Sequence, residues 1–346
     1  MTGRSRRSLV AAGSMAAAGV AIPFTSATGW SSADLGRLVS PPVSTRMLVT
    51  NELGDNVTDV DLTTNTVRKT FHVGQRPRGI VVSPDARIAY VALGKDGALA
   101  VVDVTRDTVV RTIPCGEDPE QLALSHDGRV VFVTNEENAH ASAIDVTTGK
   151  TLWSTAVGTE PDGIAVTPDG KQVYVAAETG NVVSVIDAAN GSVIASIPIP
   201  GRPRFVGVGP RGTRVYVSAE NAGTFNVIDA RTHKVVRTVS LQSLAPDSVK
   251  PSGIAVAPDG RSVYFANGRA NKVAVLNVEE MKITHTIPVG QRPWSVALSA
   301  DGSRLYTADG RSNQVSVIDL AKNKVTRTIA VGERPYGIAL VEPAHP

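Results

Sequence analysis

Short β-branched runs separated by turn residues recur along the chain, and helical periodicity is missing beyond the N-terminus. One unit reads Gly163-Ile164-Ala165-Val166, the turn Pro168-Asp169-Gly170, Val173 to Ala176, Val182 to Asp187, and Val193 to Ile199 before Pro200-Gly201. Four runs rich in valine and isoleucine, each bounded by turn residues, predict four strands. A proline opens the first run of every unit: Pro77, Pro119, Pro161, Pro203, Pro251, Pro293 and Pro335, at steps of 42 residues with one step of 48. A second marker ends the third run: Asp61, Asp103, Asp145, Asp187, Asp229, Asn277 and Asp319. It keeps the same period, so the chain is a repeat array.

Four strands per unit of this length predict an all-β, seven-bladed β-propeller. The array begins mid-unit. Met47 to Asn51, Val57 to Asp61 and Val67 to Val73 supply three strands, and Gly337 to Leu340 supplies the missing first one. One blade is therefore expected to close from both chain ends, which removes the free sheet edges. Residues 45–346 are assigned to the propeller.

Phe132-Val133-Thr134-Asn135, with Tyr90-Val91-Ala92, Tyr174-Val175-Ala176, Tyr216-Val217-Ser218 and Tyr264-Phe265-Ala266-Asn267, resembles the YVTN family of propeller repeats. The resemblance covers residues 45–341. It implies the propeller fold and admits several functions: surface-layer proteins, periplasmic binding proteins, parts of cofactor-bearing dehydrogenases, and lactonase-like or lyase-like enzymes.

Residues 1–27 resemble an export signal. Ser5-Arg6-Arg7-Ser8-Leu9-Val10 is similar to a twin-arginine motif, an alanine-rich apolar stretch follows, and Thr25-Ser26-Ala27 suits cleavage. Residues 28–44 read as a linker. The expected location is secreted or periplasmic, with no membrane span in the mature chain. The formal charge of +3 changes with this assignment. Removing Arg4, Arg6 and Arg7 from 35 basic side chains leaves 32 against 32 acidic ones. A neutral chain offers no overall field for nucleic acid. The lone cysteine, Cys115, has no internal partner and reads as a small buried hydrophobe.

Function is sought where the repeats differ. The residues following the marker prolines are Tyr336, Arg78, Glu120, Asp162, Arg204, Ser252 and Trp294; those preceding them are Arg334, Arg76, Asp118, Glu160, Arg202, Lys250 and Arg292. Both sets belong at the channel mouth. Asp118, Glu120, Glu160 and Asp162 make an acidic sector, extended by Glu136, Glu137 and His140. Arg76, Arg78, Arg202, Arg204, Arg292 and Arg334, with Trp294 and Tyr336, make a basic and aromatic arc suited to carboxylate or phosphate. The first expectation is a monomeric binding protein for a small anion or an envelope protein. The alternative is a lactonase-like hydrolase or a lyase or cycloisomerase. There His140 would act as acid or base, Glu120 or Glu178 as its partner, and Arg204 with Arg292 as an oxyanion clamp. Glu120, Glu136, Glu137 and Asp162 offer oxygens to a hard cation such as calcium. Single-stranded nucleic acid ranks third, because the neutral charge counts against it. The rim charges also have a purely structural reading, as surface ion pairs of small individual worth. The six extra residues of the 48-residue step fall in 240–250 and could decorate the mouth.

Overall fold

The computed structural model describes residues 45–242 and 249–342. The signal and linker assignments, and most of the 240–250 insertion, lie outside the described residues. Among the described residues every long element is a strand, and no helix is long and apolar enough to cross a membrane.

Seven four-stranded antiparallel sheets follow the repeat. Blade 4 is representative, with strands Pro161–Val166, Gln172–Ala177, Val182–Asp187 and Val193–Pro198. Blades 2, 3, 5, 6 and 7 begin at Pro77, Pro119, Pro203, Pro251 and Pro293. Blade 1 is the split one. Pro335–Val341 pairs antiparallel with Arg46–Asn51, which continues to Asn56–Asp61 and Thr66–His72. The expected closure is thus observed, and it ties the two ends of the array in one sheet.

Burial follows the position of a strand in its blade. Second and third strands, packed between neighbouring blades, are buried almost throughout, as in Val173–Ala176 and Val183–Ile186. Fourth strands face solvent at the rim. Cys115 is buried at 5% exposure among Ile113, Leu122 and Val133. The recurring aspartates cap turns: Asp145 Oδ1 accepts the backbone N–H groups of Thr147 and Thr148, and Asp127 Oδ1 accepts that of Arg129.

First strands meet around the axis, where space is tightest. A Cβ on Gly163 would lie 2.4 Å from the Arg204 carbonyl oxygen, and one on Gly337 would lie 2.5 Å from that of Arg78. Glycine at these positions lets adjacent first strands touch. Threonines of second strands fasten them further: Thr50 Oγ1 donates to the Arg78 carbonyl, and Thr134 Oγ1 to that of Asp162.

Candidate functional site

Two layers of side chains cross the channel mouth. The lower layer consists of the residues that follow the marker prolines. Glu120 (0% exposed), Tyr336 (1%), Asp162 (3%), Arg204 (7%) and Arg78 (8%) are all buried there. The upper layer consists of the residues that precede the prolines. Arg76, Asp118, Glu160, Arg202, Arg292 and Arg334 all have left-handed backbones, with φ between 43° and 66°. That conformation is costly for side chains other than glycine. Side chains of the preceding blade hold it in place: Asp55, Asn181, Asn271 and Asn313 accept the N–H groups of Arg76, Arg202, Arg292 and Arg334 at 2.9–3.0 Å.

The arginines and acids sort into two networks. In the first, Glu52 Oε1 accepts from Arg78 Nη1 at 2.6 Å and lies 3.5 Å from Arg76 Nε. Its Oε2 lies 3.4 Å from Arg334 Nε. Arg76 also holds Asp118 at 2.5 Å and Glu120 at 3.1 Å, and Arg78 pairs with Glu120. In the second, Arg204 holds Asp162 at 3.1 Å, Glu178 at 3.0 Å and Glu220 at 3.1 Å. Arg202 pairs with Glu178, and Arg292 reaches Glu220 at 3.2 Å. The aromatics pack against the cations: Arg78 Cζ lies 4.1 Å from the Tyr336 ring centroid, and Arg292 and Arg204 lie 4.3 and 4.9 Å from that of Trp294.

Burial makes these charges matter. It pushes the Glu120 carboxyl well above the usual carboxylate range, and Arg78 opposes that shift. Burial, reinforced by Asp162, pushes Glu178 up to about 8 against the pull of Arg204 and Arg202. Glu220 behaves oppositely. Burial raises it, but Arg204, Arg292 and Arg202 together outweigh burial and hold it below its ordinary value. Neighbouring carboxyls thus differ in protonation within one mouth, the condition for acid–base chemistry near neutral pH.

The expected arginines, Trp294, Tyr336, Glu120, Asp162 and Glu178 all come together at the mouth. His140 begins the third strand of blade 3, and its Nδ1 lies 2.5 Å from the Asn138 carbonyl oxygen. Among the described residues no hydrogen bond joins it to Glu120 or Glu178. The acids that converge within 4.8 Å are Asp118, Glu120 and Glu136. Asp162 is paired with Arg204 instead, and Glu137 is exposed. Two central residues, Glu52 and Glu220, escaped the sequence reading. Their signal was available. The residue after each second strand is Glu52, Gly94, Glu136, Glu178, Glu220, Gly268 or Gly310, a ring of glutamates and glycines at the repeat spacing.

A cavity of about 1100 Å³ lies on the opposite face between turns of blades 5 and 6. Of its acids, Asp229 and Asp259 are committed to turn hydrogen bonds with Thr232 and Arg261, and Glu279 and Glu280 are exposed. The mouth, with its shifted carboxyls, is therefore the better candidate.

Residues 200–333 match the family described as lactonase, 7-bladed β-propeller, and residues 49–162 match the cytochrome D1 haem domain. No curated protein matches the chain. A solved structure of Kuenenia stuttgartiensis hydrazine synthase is 25% identical over 79% of this chain and 92% of that one, with a TM-score of 0.73. A putative 6-phosphogluconolactonase from Bacteroides uniformis is 18% identical over 86% and 99%, with a TM-score of 0.73. The periplasmic gluconolactonase of Pseudomonas aeruginosa is 18% identical over the same shares, with a TM-score of 0.72. The haem does not fit. His72 and His126 of the matched stretch are exposed, His140 bonds to its own turn, and Arg78, Arg204 and Tyr336 fill the axis. The chain is a seven-bladed β-propeller similar to lactonase-like propellers.

Proposed function

We propose that the chain is a lactonase-like enzyme that opens a small cyclic ester bearing an anionic group at the arginine-lined mouth. One observation carries this reading: Glu178 is buried at 2% exposure against Arg202 and Arg204, and burial pushes its carboxyl up to about 8. A neutral carboxyl acid beside fixed guanidinium groups is what ester opening needs. Arg292 on the rim and Arg204 beneath it stabilise the oxyanion that forms when water adds to the carbonyl carbon. The Glu178 acid gives its proton to the departing ring oxygen, and the proton from the attacking water restores the acid. The product is a hydroxy acid. The likeness to the lactonase family over residues 200–333, which include Arg204, Glu220 and Arg292, supports the reading.

A panel of aldono- and phosphosugar lactones, followed by acid release, tests it. Turnover that falls by about 10²–10⁴-fold in Glu178→Gln with KM nearly unchanged is the expected result. Equal turnover in that variant rejects the role of Glu178.

Binding without turnover is the second reading. It draws on the basic arc, since Arg292 and Arg334 are only partly buried. Twin-arginine export of residues 1–27 would place either activity outside the cytoplasm.

A further inference from the structure

Four blade boundaries begin with arginine and proline, yet they fall into two kinds. Arg76-Pro77-Arg78 and Arg202-Pro203-Arg204 each follow a blade whose second strand ends in glutamate, Glu52 or Glu178. Those glutamates lie within contact of the arginine pairs. Arg292-Pro293-Trp294 and Arg334-Pro335-Tyr336 follow blades in which glycine takes the glutamate's place, Gly268 or Gly310. Arg292 and Arg334 must then borrow distant acids, Glu220 at 3.2 Å and Glu52 at 3.4 Å. Those acids already serve Arg204 and Arg78.

The glycines also make room for the side chains that lie against them. A Cβ on Gly310 would lie 2.6 Å from Trp294 Cδ1, and one on Gly268 would lie 3.3 Å from Arg292 Cδ. Beside Gly268 a cavity of about 400 Å³ opens, lined by Gly268, Arg269, Arg292, Trp294, Arg311 and Arg334 among others. Arg269 and Arg311 are exposed and make no ion pair among the described residues. Trp294 Nε1 is buried and has no hydrogen-bond partner there, so it is a spare donor. The field agrees with the geometry. Arg292 is held below its ordinary value by burial and by the charges of Arg204 and Arg311, whereas Arg76, Arg78 and Arg204 are all raised.

We infer that the notch between blades 6 and 7 is an anion subsite for a multiply charged oxyanion group, a phosphate monoester or a di- or tricarboxylate. Arg269, Arg311, Arg292 and Arg334 supply the donors. The inference rests on the reading of the mouth as the ligand site and specifies which end of the ligand lies where. Because it concerns binding alone, it stands or falls separately from turnover.

The test is calorimetric titration of the full chain with inorganic phosphate, citrate and chloride at low ionic strength, with Trp294 fluorescence as the local reporter. Phosphate or citrate is expected to bind and chloride not. Arg269→Ala and Arg311→Ala should each weaken Kd by about fivefold to tenfold, and the pair should abolish binding. Both side chains are exposed, so the variants should fold, and an unchanged melting temperature verifies it. Preference for phosphate over citrate would identify the headgroup as a phosphate ester, and the reverse a polycarboxylate. Lack of binding by the intact chain at millimolar anion, or binding that the double variant retains, overturns the inference.

Discussion

Blades 2 and 5 open on Arg-Pro-Arg with a glutamate beside them, whereas blades 7 and 1 open on Arg-Pro-aromatic with a glycine beside them. The backbone is the same in all four places, left-handed at the first arginine and extended from the proline. Only side chains differ. In the first pair Arg78 and Arg204 are buried and each meets two or more carboxyl groups, so they build the floor of the mouth. In the second the charges are under-matched and a cavity stands open. A repeat fold thus makes a directional site without changing its scaffold: it removes a carboxylate from selected blades.

The comparison can be broken first on its buried side. Arg204→Ala leaves Asp162, Glu178 and Glu220 facing one another without their common partner. Loss of about 3–5 kcal/mol of stability in denaturant unfolding is expected, since removing one member of a buried ionic network strands the others. A loss below about 1 kcal/mol would show that the network is solvated.

A second handle is pH. Glu178 titrates near 4.5 when unfolded and about 8 when folded, so the native state holds an extra proton between those values. Stability from this group is full below about pH 4.5 and is lost as pH rises through about 8. Glu178→Gln should flatten that decline in unfolding midpoints measured from pH 5 to 9. An identical slope in the two proteins would assign the proton elsewhere.

The smallest change sharpens the open side. Gly310→Ala pushes a methyl group to within 2.6 Å of Trp294 Cδ1, so the indole must shift. The expected cost is about 1–3 kcal/mol, with a changed Trp294 emission spectrum and weaker anion binding. An unaltered spectrum would mean that glycine is not what admits the indole.

Much of this was legible in the sequence because repetition reports position. The marker prolines gave blade number, the split blade and the ring of residues that forms the floor. The ring after the second strands was equally regular, yet only Glu136 and Glu178 drew notice. Glu52 was hidden in the split blade, and Glu220 next to residues with no evident chemistry. Pairing was not legible. Arg292 reaches Glu220 across 72 residues and Arg78 stacks on Tyr336 across 258, contacts that exist only once the ring closes. His140 attracted attention because histidine titrates near neutrality. Burial at the axis pushes the Glu178 carboxyl up to about 8, into the same range, and a glutamate in a sequence does not reveal its burial.

The central claim is that a carboxyl in the arginine-lined mouth keeps its proton at neutral pH. Carbon-13 NMR of side-chain-labelled glutamate, titrated from pH 4 to 9 in the intact chain and in Glu178→Gln, measures this directly. The account predicts a resonance with a midpoint of about 8 that disappears in the variant, while the raised Glu120 resonance remains. Absence of any midpoint near 8 in the intact chain, or a midpoint near 8 that survives the substitution, would contradict it.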